Sequence, residues 1–139
     1  MIKPSSATGA ALGLLAVLHV AWGLGSPFPF RERGELADAV IGSVSVPSTT
    51  SCLGVAALLA VAGGTVTKAI PMPLSLRRAA LTILALVFAL RSALGFSAKT
   101  SLLSPSSVSP RFQRLDRSYF APLCLALALG SWAARTQVK

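Results

Sequence analysis

Four long apolar windows divide the chain, from about Ala7 to Leu24, Cys52 to Val66, Ala79 to Phe96 and Tyr119 to Ala134. A bilayer core takes about twenty such residues as a helix, and fewer where flanking side chains reach the headgroups. Lipid offers no partner to an unpaired backbone amide, so a chain built this way is restricted to helices that satisfy themselves. The pattern therefore predicts an all-α polytopic membrane protein, a single domain over residues 1–139 folded as a bundle of four transmembrane helices. Only 12% of the residues are charged and the mean hydropathy is +0.70, whereas soluble domains carry about twice that charge. The first window has too long an apolar core for a cleaved leader and no clean small-x-small site after it, so it is expected to stay as a span.

The second window crosses lipid only if Thr49, Thr50 and Ser51 begin its helix and residues 65–69 extend it. Glycines recur in every window, which predicts closely packed helix backbones. Between the first two spans, Pro27 and Pro29 alternate with Phe28 and Phe30, an extended entry at headgroup level before a short surface helix through Glu35 to Ile41. The second connection is a short turn broken by Pro71 and Pro73. The third, from Ser97 to Ser118, is rich in Ser and Pro before a basic stretch and is expected to be largely mobile.

The net charge of +9 is spread beside the apolar windows, where Lys and Arg anchor helix ends to the bilayer; no basic helix or aromatic-interleaved stripe points to nucleic acid as a partner. One His, two Cys and four acids exclude zinc hydrolases, iron–sulfur carriers and carboxylate cages, so no metal and no cofactor is expected. Cys52 and Cys124 form no CxxC and differ in depth by about a turn, which predicts unpaired packing residues. Lys3, Lys68, Arg77, Arg78, Arg135 and Lys139 fall on one side of the membrane, and Arg31, Arg33, Lys99, Arg111, Arg114 and Arg117 on the other. The first set lies closer to short connections, which favours both termini in the cytoplasm.

Antiparallel spans bring one set of polar residues to one leaflet: His19 and Trp22 near the end of the first span, Arg91 near the end of the third, and Asp116 and Tyr119 at the start of the fourth. A charged Arg within a span costs about 2.5–3.5 kcal/mol on insertion scales, so Arg91 is expected to turn inward and contact His19, Asp116 or Tyr119, unless it snorkels. Asp116 either caps the fourth helix with Ser118 or pairs with Arg91, and capping is the favoured role. Pro122 is expected in that helix's first turn, where its missing N–H matters least. A pocket of His19, Trp22, Arg91, Asp116 and Tyr119 is cationic and suits an anionic or polar group such as a lipid headgroup or small molecule.

The strings LHVAWGLG, CLGVAALLAVAG, FALRSALGF and FQRLDRSYFAPLCLALALG carry a resemblance that covers almost the whole chain. They resemble a bacterial family of small four-helix integral membrane proteins catalogued as domain of unknown function 3995. The most specific parts are His-x-x-Trp-Gly, Leu-Arg-x-x-Gly and Leu-Asp-x-x-Tyr-x-x-Pro-Leu-Cys. The resemblance implies a bacterial plasma membrane and four helices, and it brings no activity with it. The residues themselves favour a binding or accessory protein whose partners are the bilayer, a lipid or small anion, or another membrane protein. The alternative is a membrane-embedded enzyme acting on a lipid-soluble substrate, with His19 as acid or base and Asp116 orienting it. Thiol exchange lacks its CxxC, and transport lacks a repeat and a mid-span ion path.

Overall fold

The computed structural model describes residues 3–103, 105 and 109–138. Regular structure among them is entirely helical: α1 (Pro4–Gly23), α2 (Arg33–Val40), α3 (Thr49–Thr67), α4 (Leu74–Phe96), α5 (Pro110–Leu115) and α6 (Ala121–Thr136). A 3-10 turn lies at Thr100–Leu102 and a π-turn at Asp116–Phe120. Local chemistry sets the ends. Ser48 accepts a hydrogen bond from the Ser51 amide at 3.1 Å, so α3 opens on Thr49 and gains the extra turn that its short window needed. Pro73 stands at the N-cap of α4, which therefore starts five residues before the expected Ala79 and takes Arg77 and Arg78 into the helix.

By length and composition, α1, α3 and α4 can each cross a membrane. The fourth window behaves differently from expectation. No helix starts near Ser118, because α5 runs through the π-turn directly into α6. Pro122 lies at the head of α6 inside this run, where its ring crowds the carbonyl four residues back and its missing N–H breaks the ladder. Widening the preceding turn to π spacing relieves that conflict without ending the helix.

The long helices pack as consecutive antiparallel pairs. In the α1–α3 pair, Gly9 lies against Thr67 at one end and Gly23 against Cys52 at the other. A Cβ on Gly63 would sit 3.4 Å from the Gly9 carbonyl oxygen, so these two glycines mark a backbone-to-backbone crossing. Gly95 packs on Ala121 between α4 and α6, and Gly130 meets Thr8 where α6 crosses α1. Leu12, Ala62, Val66, Leu81 and Leu127 fill the centre. Meanwhile Leu14, Val17, Leu58, Leu86 and Leu129 project outward with 62–72% of their surface exposed, an apolar belt stable against acyl chains and costly against water.

Several described residues of the third connection pack against the rest of the chain. Thr100 and Phe112 are buried, Ser109 and Pro110 open α5, and Phe112 seats against Gly42 so closely that a Cβ there would lie 3.0 Å from its ring. Gly42 also has a φ of +77°, a conformation that side chains disfavour. These contacts dock α5 beside α2. The mobility expected for residues 104 and 106–108 lies outside the described residues.

Arg77 was read as a headgroup anchor, yet it turns inward. Only 6% exposed, it donates to the Thr65 carbonyl at 2.6 Å and the Ile70 carbonyl at 2.7 Å. Its charge thus sits at the C-terminus of α3, on the Thr65 carbonyl and on that of Ile70 just beyond the helix, where the helix dipole favours a cation.

Candidate functional site

The polar residues expected in one pocket form two separate groups. The first joins α4 to the π-turn. Arg91 Nη2 donates to Asp116 Oδ1 at 2.6 Å and Nη1 to Oδ2 at 3.2 Å, while Thr100 Oγ1 donates to Oδ2 at 2.6 Å. Asp116 is 1% exposed and Arg91 25%, so the pair is shielded on the carboxylate side and open on the other. Next to it, Ser92 Oγ donates to the Ala121 carbonyl at 2.8 Å, tying the same two elements again. Gly95 leaves the room: a Cβ there would fall 2.7 Å from Ala121 and about 3 Å from both charged side chains.

Arg91 thus turns inward as its desolvation required, and its charge is matched by Asp116. The favoured capping role of Asp116 is replaced by ion pairing because a continuous helix leaves no free amides at that point to cap. Thr100 was missed; nothing in the Ser-rich string around it marks that hydroxyl for burial. Tyr119 is two-thirds exposed on the outer side of the π-turn, and among the described residues its hydroxyl has no partner.

The second group surrounds a cavity of about 280 Å³ between α1, α2, the following loop and α3. His19 and Trp22 form one wall, with ring centroids 4.8 Å apart and planes tilted by 57°. Their spacing of three residues puts them on one helix face. The other walls are Leu36, Ala37, Val40 and Ile41 from α2 and its end, Val46 and Pro47 from the loop, and Cys52 and Val55 from α3, with Arg33 and Ser51 also on the lining. The surface is overwhelmingly apolar. The lining role of α2 has its signal in Leu36, Ala37, Val40 and Ile41, which recur at the spacing of a single apolar stripe.

His19 Nδ1 lies 2.8 Å from the Leu15 carbonyl oxygen. A carbonyl only accepts, so Nδ1 carries the proton and donates, and in the neutral ring the lone pair sits on Nε2. Asp116 therefore does not orient His19, as an acid–base pair would require. Trp22 Nε1 donates to the Phe28 carbonyl at 2.7 Å, which fixes the indole and folds the Pro27–Phe30 segment back against α1. Both cysteines are free, Cys52 buried beside the cavity and Cys124 half-buried on α6. Among the described residues no three of His, Cys, Asp and Glu gather as a metal ligand set.

The family model described as "Protein of unknown function (DUF3995)" matches residues 12–131, a stretch that contains both groups. No curated protein and no solved structure matches the chain.

Proposed function

The chain belongs to this family of unknown function, and from that premise we propose that it is a four-span membrane protein that binds a membrane-soluble molecule bearing a polar group. The His19–Trp22 cavity is the binding site. α1, α3 and α4 are three spans; α5, the π-turn and α6 supply the fourth as one helical run from Pro110 to Thr136. We place it in a bacterial plasma membrane with both termini cytoplasmic, since Lys68, Arg77 and Arg78 surround the shortest connection between spans.

The observation that supports binding is the cavity itself, an apolar hollow with few polar atoms at the membrane face where α1 ends and α3 begins. The matched ion pair of Arg91 and Asp116 has a different job, holding α4 to the fourth span. An accessory subunit that presents its ligand to a partner membrane protein needs nothing more than this site. The enzyme reading finds less support, because Leu15 and not a carboxylate holds His19.

Native mass spectrometry of the protein released from its own membranes tests the proposal. Wild type is expected to carry a bound membrane-soluble molecule, and Val40→Phe, which fills the cavity from α2, is expected to lose it. A wild-type protein without any adduct, or an adduct retained equally by Val40→Phe, overturns the binding reading.

A further inference from the structure

The polar atoms around the cavity differ in what they have left to offer. Trp22 Nε1 is committed to Phe28, and the Ser51 hydroxyl is paired with Ser48 Oγ at 2.8 Å. Arg33 is exposed at the rim and, as a guanidinium, can only donate. Cys52 offers only a weakly bonding thiol. His19 is the exception. Its Nδ1–H is turned to its own helix, and Nε2, at the far end of the ring, has no partner among the described residues.

We infer that the site selects a molecule presenting a hydroxyl donor on an apolar body, an alcohol or phenol, and that His19 Nε2 accepts that hydrogen bond. This rests on the cavity being the binding site. An anion could pair with Arg33 at the rim but not with Nε2, whose lone pair repels it, so a hydroxyl donor is the group that His19 itself selects. A ligand with no donor forfeits the Nε2 acceptor. The cavity volume, about 280 Å³, is at the small end for ligand sites, so it takes a ring or a short branched head and leaves a longer tail to the bilayer. The tilted faces of His19 and Trp22 suit such a flat or branched apolar head. Two sources share this chemistry: a phenolic head of the reduced-quinone type and an isoprenoid alcohol.

The test compares matched pairs that differ only in the donor: 4-nonylphenol with 4-nonylanisole, and farnesol with farnesyl methyl ether. Binding is read from Trp22 emission in detergent-solubilised protein carrying Trp132→Phe, which leaves Trp22 as the sole indole. Dividing the wild-type preference for hydroxyl over ether by the same preference in His19→Phe cancels partitioning into micelles. One neutral hydrogen bond predicts a quotient of about fivefold to tenfold in at least one pair. The pair that shows it identifies the head as phenolic or aliphatic. His19→Gln, which restores an acceptor, is expected to recover part of the preference. If His19→Phe does not fold, the Nε2 nitrogen-15 resonance of wild type serves instead, shifting with the hydroxyl compound and not with its ether. A quotient near one, or an unmoved resonance under bound ligand, overturns the hydroxyl inference while leaving the cavity in place. Binding of none of the four compounds, in a protein that also carries no native adduct, overturns the cavity reading beneath it.

Discussion

Arg91 grips Asp116, 25 positions further along the chain, through both terminal nitrogens of its guanidinium and across a helix pair. Two parallel charge-assisted bonds fix orientation as well as distance, so the pair sets how α4 lies on the fourth helical run. Thr100 adds a third donor to the carboxylate, which brings the connection after α4 under the same constraint.

Removing one partner is therefore worse than removing both. Arg91→Gln leaves a carboxylate 1% exposed without its cation and is expected to cost about 3–5 kcal/mol, and Asp116→Asn a smaller amount because Arg91 can reach water. The double variant Arg91→Gln/Asp116→Asn should recover much of the loss, as thermal unfolding in detergent would show. A double variant less stable than Arg91→Gln contradicts this account.

Gly9→Ala should destabilise the α1–α3 crossing by about 1–3 kcal/mol, because the new methyl collides with Thr67 Cγ2. Thr67 cannot simply rotate away, since its hydroxyl is pinned to the Gly63 carbonyl at 2.9 Å. Adding Thr67→Ser deletes that methyl and keeps the hydroxyl, so most of the lost stability should return in the double variant's melting curve.

Arg77→Met removes a charged donor from the Thr65 carbonyl at the end of α3 and from the Ile70 carbonyl just beyond it, and should cost about 2–4 kcal/mol. Arg77→Lys keeps the charge but not the planar fork, so its melting temperature should fall between those of Arg77→Met and wild type. Equal melting of all three would show that the guanidinium contributes only packing.

Single cysteines at positions 5 and 137, placed in a Cys52→Ala/Cys124→Ala background, should react with an impermeant thiol reagent from the same side of the membrane. A cysteine at position 34 should react from the other. Labelling of positions 5 and 137 from opposite sides is incompatible with four spans.

Much of the helix pattern was legible because lipid imposes one rule on every segment: long apolar runs must be helices. The start of α3 at Thr49 followed from the Ser and Thr residues before its window, whereas α1 begins at Pro4, three residues ahead of its apolar window. Less visible was anything that depended on how neighbouring segments meet. Pro122 read as a helix start, yet a segment already helical on both sides absorbed it as a π-turn. Asp116 read as a cap for the same reason. The inward turn of Arg91 followed from desolvation alone, but its separation from His19 depends on which helices pair, and periodicity along one chain does not encode that. Composition also concealed the burial of Thr100 and Phe112, which lie on either side of the Ser- and Pro-rich run.

The π-turn at Asp116–Phe120 also sets an angular offset. One residue beyond α-helical spacing rotates everything before it by about 100° relative to everything after it. That offset lets Phe112 address Gly42 on one side of the molecule while Leu127 and Ala128 stay buried on another. Excising a single residue from this segment would close the bulge into ordinary helix, but it would swing the preceding turn away from its seat. Length at this point is therefore a steric requirement in its own right: two helices of unchanged sequence would face the wrong neighbours if the count between them fell by one.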